Sequence, residues 1–313
     1  MTKQRINIVY TVDDNYFYCA YVSAYSLIKN ANKDYDYTIN FLYDSVSLSE
    51  KNLKSLDNLN SEKFEIKLYC LDKFLEKVKD KFVLRDYYTD AIYYRLFIPS
   101  ILSDLDKVIY LDSDTVVVDD ISKMYNIDLK DNIIGGCMCE VCDTFEVFTN
   151  YVEQVVGVET NKKFINSGIL LINIKEFNKQ NILEKFNDLL DKYPFIVAPD
   201  QDCLNALCKD KSIIIDKGWN RNPYPLKSEK DNIFIVHYTL TNKPWHYKGV
   251  LYEEYFWKYA KETPFYQTLY NIRENYSEEE KQRDIICEQE LIKKAQYEID
   301  RPDNYKKKFL DKV

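Results

Sequence analysis

The chain has 313 residues, of which 46% are hydrophobic, and its formal net charge is -8. This composition indicates a globular protein with enough chain to bury a sizeable core, organised as one large α/β domain with an appendage. The negative charge argues against nucleic acid as a partner, because a general nucleic-acid binder needs a basic face.

The first predicted strand, Ile6–Thr11, follows a short basic N-terminus that lacks the long apolar segment of a signal peptide. No apolar run approaches the roughly 20 residues of a membrane span. We therefore expect a cytoplasmic protein whose eight cysteines are reduced. Cys137, Cys139 and Cys142 have a C-x-C-x-x-C spacing, but a structural zinc site needs four ligands, so buried thiols are the favoured interpretation.

Polar residues and a tyrosine follow the first strand and precede an apolar-periodic helix. One Asp or Asn at this point caps a helix. Asp13, Asp14 and Asn15 together exceed what a cap requires, and such side chains can bind the edge of a nucleobase while the ring of Tyr16 stacks on its face. We expect Asp13, Asn15, Tyr16 and the strand's last residue, Thr11, to bind a substrate.

Strands and helices alternate in the next part of the chain. Tyr37–Leu42 is a predicted strand, Ser47–Leu59 a helix that begins at a Ser cap, and Phe64–Cys70 another strand. This alternation predicts a parallel sheet with crossover helices.

Residues Tyr87–Ile101 are predicted to form a loop that enters an aromatic-rich helix, which stops near Pro99. Arg95 is the basic residue among its apolar neighbours. It is a candidate partner for a phosphate or for carboxylates, and a structural ion pair is an equal alternative.

The most informative stretch is Lys107–Asp120. Val108–Leu111 has the composition of a strand buried on both faces, and Asp112 and Asp114 follow it directly. Ligands of open α/β sheets bind beyond the carboxyl ends of the strands. Two carboxylates so close repel each other unless a cation lies between them, and their oxygens suit Mg²⁺ or Mn²⁺. An acidic turn without a metal is the alternative that this pattern alone favours.

A further strand is predicted over Asn132–Met138, with Gly135 and Gly136 allowing close approach of a neighbour. Residues 164–174 are apolar except near their start, where an N-S-G sequence breaks the run. This break predicts a turn or bulge that presents Asn166, and a simple Asx turn is the alternative.

Residues 199–208 begin a helix with Asp200, Gln201 and Asp202. Helix capping and the helix dipole account for one of these polar side chains. The remaining two are candidates for ligand binding.

Both histidines of the chain lie in the segment 232–246, in which a buried strand is predicted to end at His237. A lone His after a strand is more often a hydrogen-bonded core residue. Beside two carboxylates it completes a Mn²⁺ site, because Mn²⁺ accepts imidazole more readily than Mg²⁺ does. Lys243 can neutralise a diphosphate as a point charge.

The predicted organisation is a catalytic domain over 1–258 and a charged helical appendage over 259–313, with a break at Arg301–Asp303. A solvated appendage is favoured. Peripheral membrane contact through Lys306–Phe309 is the alternative.

Six motifs, in this order and spacing, resemble glycosyltransferase family 8, the retaining enzymes that include bacterial lipopolysaccharide galactosyl- and glucosyltransferases and glycogenin. The motifs are D-D-N-Y (13–16), Y-Y-R-L (93–96), Y-L-D-S-D (110–114), N-S-G-I-L-L-I-N (166–173), D-Q-D-C-L-N (200–205), and the H-Y and K-P-W-H sequences within 237–246. The resemblance implies a GT-A, Rossmann-like fold: a mixed, mostly parallel sheet flanked by helices. It also implies Mn²⁺-dependent transfer, with Mg²⁺ as the alternative, of glucose or galactose from a UDP-sugar. The acceptor would be a glycan, glycolipid or glycoprotein at the inner face of the membrane.

The resemblance also assigns roles to particular residues around the nucleotide. It implies that Asp13, Asn15 and Tyr16 hold the uracil, that Asp112, Asp114 and His237 are the metal ligands, and that Lys243 lies on the diphosphate.

Around the donor sugar, Arg95 and Asn166 match binding residues and Asp200 a ligand of a sugar hydroxyl. Gln201 matches the residue beside the reactive face of the anomeric carbon, and Asp202 a carboxylate proposed as nucleophile. Because an amide is a poor nucleophile, front-side attack is favoured over double displacement.

The sequence departs from the family pattern at Leu240, where a phosphate-adjacent Gly is common, and at Cys139-Glu140, which replaces an acidic donor-sugar contact. Two other hypotheses stay open. A sugar-nucleotide nucleotidyltransferase would show a Gly-rich basic loop after its first strand, and a catalytically silent carbohydrate-binding protein would keep the cleft without turnover.

Overall fold

The computed structural model describes residues 3–76, 78–84, 89–224 and 232–311. Tyr87 and Tyr88, in the predicted loop before Arg95, lie outside the described residues. The strands are β1 (Arg5–Thr11), β2 (Asp36–Tyr43), β3 (Phe64–Cys70), β4 (Lys107–Leu111), β5 (Thr115–Val117), β6 (Ile134–Met138), β7 (Ile165–Asn173), β8 (Ser212–Ile214) and β9 (Ile235–His237).

The α-helices of the described chain are α1 (Phe17–Asn30), α2 (Glu50–Ser55), α3 (Asp72–Leu75), α4 (Ile98–Ile101), α5 (Ser122–Tyr125), α6 (Glu140–Thr144), α7 (Glu146–Tyr151), α8 (Ile174–Lys179), α9 (Ile182–Lys192), α10 (Pro199–Cys208), α11 (Glu253–Ala260), α12 (Tyr266–Glu274) and α13 (Glu278–Asp300). None of these helices combines the length and the apolar character that crossing a membrane requires.

Seven of the strands form one sheet, in the order β3-β2-β1-β4-β7-β6-β8. β1 runs parallel to β2 and β4, β2 to β3, and β6 to β8, whereas β6 and β7 are antiparallel. β5 and β9 form a separate antiparallel pair. The structure confirms the predicted mixed, mostly parallel sheet with flanking helices and a helical C-terminal region.

The sequence explains which strands lie inside the sheet. β1 and β4 are inner strands of this sheet and are buried along almost their whole length, as is typical of near-continuous apolar runs in a mostly parallel sheet. β3 forms an edge, and its charged residues Glu65 and Lys67 are partly exposed, as is typical of edge strands that avoid pairing with another chain.

The chain divides into two compact units. The first consists of Met1–Lys73, Lys107–Asp128 and Asp216–Lys281, and the second of Phe74–Asp106, Leu129–Ile215 and Gln282–Val313. A cluster of buried side chains that includes Val116, Val236, Tyr238 and Trp245 forms part of the core of the first unit.

Several predicted elements are confirmed within one or two residues. β3 has the predicted bounds, β1 and β2 extend one residue beyond them, and α10 covers the predicted 199–208. α13 ends at Asp300, so the predicted break at Arg301–Asp303 is also confirmed.

The predicted helix Ser47–Leu59 is wrong at its start. Asp44 Oδ1 accepts hydrogen bonds from the backbone N–H groups of Val46 and Ser47 and holds these residues in a turn. Ser49 occupies the N-cap position of α2, but its hydroxyl donates to Asp14 Oδ1 instead of capping the helix. The helical segment consists of the six residues of α2 followed by a 3₁₀ turn, Leu56–Leu59.

The prediction that Pro99 stops a helix is also wrong. Residues Asp90–Phe97 form a 3₁₀ helix, and Pro99 lies in the first turn of α4. Proline is tolerated in a first turn because the N–H group that it lacks would have no partner inside the helix.

The irregularity predicted around Asn166 is confirmed as a bulge in β7. Gly136 pairs with Leu170 and Met138 with Ile165. Moving two residues along β6 therefore corresponds to moving five residues along β7, so β7 contains extra residues at this point. Asn166 Oδ1 accepts a hydrogen bond from the N–H of Gly168, which closes an Asx-type turn inside the bulge.

Candidate functional site: a carboxylate and imidazole cluster

Asp112 and Asp114 lie in the three-residue gap between β4 and β5, in the first unit. Tyr110 donates its hydroxyl proton to Asp112 Oδ1 at 2.5 Å. Since that proton is used, Thr11 Oγ1 must be the donor in its 3.0 Å hydrogen bond to the Tyr110 hydroxyl. Thr11, predicted to bind a substrate, is buried and orients Asp112 through Tyr110.

His237 comes from a distant part of the sequence and reaches the two carboxylates through strand pairing. In the antiparallel β5–β9 pair, Thr115 lies opposite His237, so the imidazole lies beside the residue that precedes β5. His237 Nε2 is 3.2 Å from Asp114 Oδ1 and 3.7 Å from Asp112 Oδ2. The side chain is buried, which fixes this orientation.

Asn220 fixes the tautomer of His237. Its Oδ1 lies 2.9 Å from His237 Nδ1, and because an amide oxygen only accepts, Nδ1 carries a proton. In the neutral imidazole Nε2 then presents a lone pair to the carboxylates. Sequence reasoning missed Asn220. It ends a short 3₁₀ helix, Lys217–Asn220, and a single buried Asn there gives no periodic signal.

Lys243 supplies a buried positive charge beside the cluster. Its Nζ donates short hydrogen bonds to Asp114 Oδ2 and to the Tyr238 carbonyl, and lies 5.6 and 5.8 Å from the ring centroids of Tyr16 and Trp245. Burial alone would raise the pKa of the Asp114 carboxyl, but the charge of Lys243 beside it holds that pKa well below its usual range. Asp114 is therefore ionised at neutral pH.

The donor set fits a divalent cation. Single ligand atoms from Asp112, Asp114 and His237 all lie within 4.8 Å of one another. Two ligands of one Mg²⁺, with bonds of about 2.1 Å, are at most about 4.2 Å apart. The two imidazole–carboxylate distances are shorter than this limit. Asp114 Oδ1 is buried and has no hydrogen-bond donor among the described residues, so an acceptor oxygen and an acceptor nitrogen face each other there.

The turn after β1 has a partly structural explanation. Asp13 is buried and its Oδ1 accepts a hydrogen bond from the N–H of Tyr16 at the start of α1. Asp14 Oδ1 accepts from Ser49 and Asn52 and fastens the start of α2. Asn15 is exposed.

The predicted sugar-binding residues lie in the second unit and form a hydrogen-bonded network. Arg95 is 5% exposed; its Nη1 donates to Ser167 O at 2.6 Å and to Ser167 Oγ at 2.9 Å, and its Nε is 3.3 Å from Asp200 Oδ2. Ser167 Oγ donates in turn to Asp200 Oδ2 at 2.8 Å. The structural ion pair that the sequence left open for Arg95 is therefore present.

The side-chain amide of Gln201 is held in place by its hydrogen bonds. Its Oε1 accepts hydrogen bonds from Asn166 Nδ2 and from the N–H of Ser167, at 3.1 and 3.0 Å. Its Nε2 points at Cys139 Sγ, 3.9 Å away. The bulge in β7 thus fixes the Gln201 side chain.

Asp202 is fully buried. Its Oδ2 accepts hydrogen bonds from the Tyr151 hydroxyl at 2.7 Å and from the N–H of Ala198, the N-cap residue of α10, at 2.9 Å. Of the three polar residues at this helix start, Asp202 is therefore the one that stabilises the helix N-terminus.

The first unit therefore brings together five of the predicted site residues: Tyr16, Asp112, Asp114, His237 and Lys243. The second unit brings together four others: Arg95, Asn166, Asp200 and Gln201. Asp202 lies beneath this second group, facing Tyr151.

The chain has relatives among known proteins. Residues 7–249 match the family described as glycosyl transferase family 8. The chain is 28% identical to lipopolysaccharide 1,2-glucosyltransferase of Escherichia coli, over 99% of this chain and 89% of that protein. It is 27% identical to lipopolysaccharide 1,3-galactosyltransferase of Salmonella typhimurium, over 83% and 79%.

The fold is similar to that of the galactosyltransferase LgtC, solved with donor and acceptor sugar analogs. The TM-score is 0.70 at 24% sequence identity, over 84% of this chain and the whole of the other.

Proposed function

The chain belongs to glycosyl transferase family 8, and from this premise we propose that it transfers a hexose, glucose or galactose, from a UDP-sugar to a carbohydrate acceptor with retention of configuration. The names of its relatives support a hexose as the transferred sugar, since they are a lipopolysaccharide glucosyltransferase and a lipopolysaccharide galactosyltransferase. The acceptor we propose is a glycan, free or linked to a lipid or a protein.

The observation that carries this proposal is the cluster of Asp112, Asp114 and His237 with Lys243 beside it. An oxygen and nitrogen donor set of this kind suits Mn²⁺, and also Mg²⁺. When bound, such an ion supplies Lewis-acid stabilisation of the negative charge that develops on the leaving diphosphate. The Lys243 ammonium adds a fixed positive charge for the same oxygens.

The residues after β1 support a nucleotide donor. We propose that Asp13 and Asn15 hydrogen-bond the uracil and that Tyr16 stacks on it. Asn15 is exposed, and Tyr16 is only partly buried, so both side chains are accessible to a ligand.

For the donor sugar we propose Arg95, Asn166 and Asp200 as binding residues and Gln201 as the residue beside the anomeric carbon. Asp202 is fully buried and holds Tyr151 and the start of α10. A carboxylate in this position is poorly available as a nucleophile, which favours front-side attack, in which the departing phosphate takes the proton of the acceptor hydroxyl.

The test is UDP release from UDP-glucose and UDP-galactose in the presence of Mn²⁺. We expect release with one donor, and we expect Asp112→Asn, Asp114→Asn and His237→Gln to reduce it by at least about 100-fold. Asp131→Asn, which changes an exposed aspartate in the other unit, is the matched control and should leave release unchanged.

Other outcomes identify the competing functions. Pyrophosphate exchange without UDP release would indicate a nucleotidyltransferase, and sugar binding without turnover a carbohydrate-binding protein. Normal release by any of the three cluster variants would remove that residue from the proposed metal site.

A further inference from the structure

Two cysteine thiols lie in contact next to the Gln201 network, in the second unit. Cys139 is the N-cap residue of α6 and Cys142 lies within that helix, so two residues lie between them along the chain. Cys142 Sγ donates a hydrogen bond to Cys139 Sγ at 2.8 Å. A disulfide bond is about 2.05 Å long, so the sulfurs need to move only about 0.8 Å closer.

The two thiols are chemically different. The hydrogen bond from Cys142, helped by its backbone N–H and opposed by burial, lowers the pKa of the Cys139 thiol. The same hydrogen bond, together with burial, raises the pKa of the Cys142 thiol. Cys139 is thus the nucleophile of the pair, because the thiolate is the reactive form.

Both thiols are free and buried, with 5% of Cys139 and 8% of Cys142 exposed. A small neutral oxidant can reach sulfur atoms at this depth more easily than a bulky disulfide reagent can. Cys70, which is exposed, provides an internal reference for an unspecific reaction.

We propose that Cys139 and Cys142 are a modification site at which hydrogen peroxide closes a reversible disulfide next to Gln201. The Cys139 thiolate attacks a peroxide oxygen, the O–O bond breaks, and hydroxide leaves, so that Cys139 becomes a sulfenic acid. The sulfur of Cys142 then attacks the sulfur of Cys139 and displaces hydroxide, which leaves as water with the Cys142 proton. Two thiols are oxidised by two electrons while one peroxide is reduced to two waters.

The disulfide would disturb the Gln201 side chain. Gln201 Nε2 faces Cys139 Sγ, and its other amide atom is held by Asn166 and Ser167. Closing the bond moves Cys139 Sγ toward Cys142 and so changes its contact with Gln201 Nε2. This consequence rests on the proposed function, in which Gln201 lies beside the anomeric carbon.

The experiment treats the reduced, full-length protein with increasing hydrogen peroxide. Peptide mass spectrometry should show a Cys139–Cys142 crosslink, with loss of two hydrogens, before Cys70 is oxidised, and dithiothreitol should reverse it. We expect the rate of UDP release to fall by about fivefold as the fraction of crosslinked protein rises. This is the size of effect expected from the loss of one hydrogen bond. Cys142→Ser should abolish the crosslink and the reversible loss of activity, while the control Cys208→Ser, which changes another buried thiol, should keep both.

Each outcome of this experiment has one meaning. A Cys139 that goes directly to sulfinic acid, or a Cys142 that stays free after Cys70 has reacted, would overturn the modification site. A crosslink with unchanged UDP release would overturn the link to Gln201. A crosslink in a protein that releases no UDP even when reduced would instead contradict the proposed transferase, because the disulfide is measured independently of activity.

Discussion

At the scale of single residues, the cluster is organised by side chains that would not themselves touch a metal. Tyr110 and Thr11 orient one carboxylate, and Asn220 orients the imidazole. Such outer partners fix the tautomer and the direction of a ligand, so part of the affinity of a metal site belongs to them.

Asn220 gives the sharpest prediction at this scale. Asn220→Ala should weaken Mn²⁺ binding by about 10- to 100-fold, because His237 would lose the acceptor that keeps the proton on Nδ1. Mn²⁺ binding followed by electron paramagnetic resonance measures this without any substrate. Asn220→Asp keeps an acceptor oxygen and should recover most of the affinity, and exposed Asn126→Ala is the control. Equal Mn²⁺ affinity of Asn220→Ala and the natural protein would show that Asn220 only fills space.

His246 predicts a pH dependence of stability. Burial and the charge of Lys243 lower the pKa of His246 to about 4, against 6.5 when exposed, with Glu280 opposing the shift. The unfolded chain therefore binds more protons between pH 6.5 and 4, and the free energy of unfolding falls as the pH is lowered through this range. Since one pKa unit corresponds to about 1.4 kcal/mol, the full loss is roughly 3 kcal/mol.

Urea unfolding at pH 7, 5.5 and 4 measures this dependence. His246→Phe keeps an aromatic ring against Tyr276, on which His246 stacks at 4.1 Å, but cannot be protonated. The variant should therefore show a shallower decline than the natural protein. Parallel curves for the two proteins would mean that His246 titrates normally in the folded state.

The residues of the site differ in how far the sequence predicts them. Asp112 and Asp114 are evident because they directly follow a buried strand, and that relation is local. Asn220 is not evident, since its role depends on the distance to His237 and no local pattern encodes that distance. The helix start predicted at Ser47 is wrong for a related reason. Ser is a common N-cap residue, but the backbone N–H of Ser47 donates to Asp44 Oδ1, which holds Ser47 in a turn before the helix.

At the scale of secondary structure elements, the β5–β9 pair explains how the site is assembled. Three residues of each strand pair in antiparallel register, and this brings His237 beside a residue more than 120 positions earlier in the chain. The strand ending at His237 was predicted from its apolar run, but pairing partners and register depend on the rest of the fold and were not predicted. Pro99 shows the same limit, because a proline marks a helix end without showing which end it is.

The close contact between β6 and β7 at Gly136 predicts how a substitution there changes stability. A Cβ atom on Gly136 would lie 2.4 Å from Ile165 Cγ2, so Gly136→Ala should destabilise the protein by about 2–3 kcal/mol. Gly249→Ala is the matched control. Its φ of +76° strains any side chain by about 1 kcal/mol, but no atom lies within 4 Å of the added carbon. Adding Ile165→Ala to Gly136→Ala should cost less than the sum of the two single changes. Additive costs in denaturant unfolding would show that the clash is not the cause.

At the scale of the whole chain, the charged C-terminal region packs against other parts of the protein. α13 is followed by a π-helical turn, Lys306–Leu310, whose residues contact the second unit to which they belong. The domain limits 1–258 and 259–313 stay a prediction, and so does the cytoplasmic location. The contacts of this last turn nevertheless bear on the alternative, peripheral membrane contact.

The segment Lys306–Phe309 is occupied by contacts within the protein. Lys306 and Lys308 donate to the carbonyls of Glu153 and Lys192, and the ring of Phe309 packs at 6.3 Å from Tyr193 and 5.4 Å from Tyr305. Insertion of Phe309 into a membrane would break these contacts. Attraction to an anionic surface is worth about 1 kcal/mol for each lysine near it, and it would also have to overcome a net charge of -8.

We therefore expect the protein to stay in the supernatant when it is sedimented with vesicles of phosphatidylglycerol and phosphatidylcholine at 0.15 M salt. Phe309→Ala should leave this result unchanged but lower the free energy of unfolding by about 1–3 kcal/mol, less than the 3–5 kcal/mol of a fully buried ring, because the side chain is 37% exposed. Lys307→Ala, which removes one charge but no aromatic contact, separates electrostatic attraction from packing. If the natural protein sedimented with the vesicles and Phe309→Ala did not, the segment would be a membrane anchor, and the ring would leave its place beside Tyr193 to act as one.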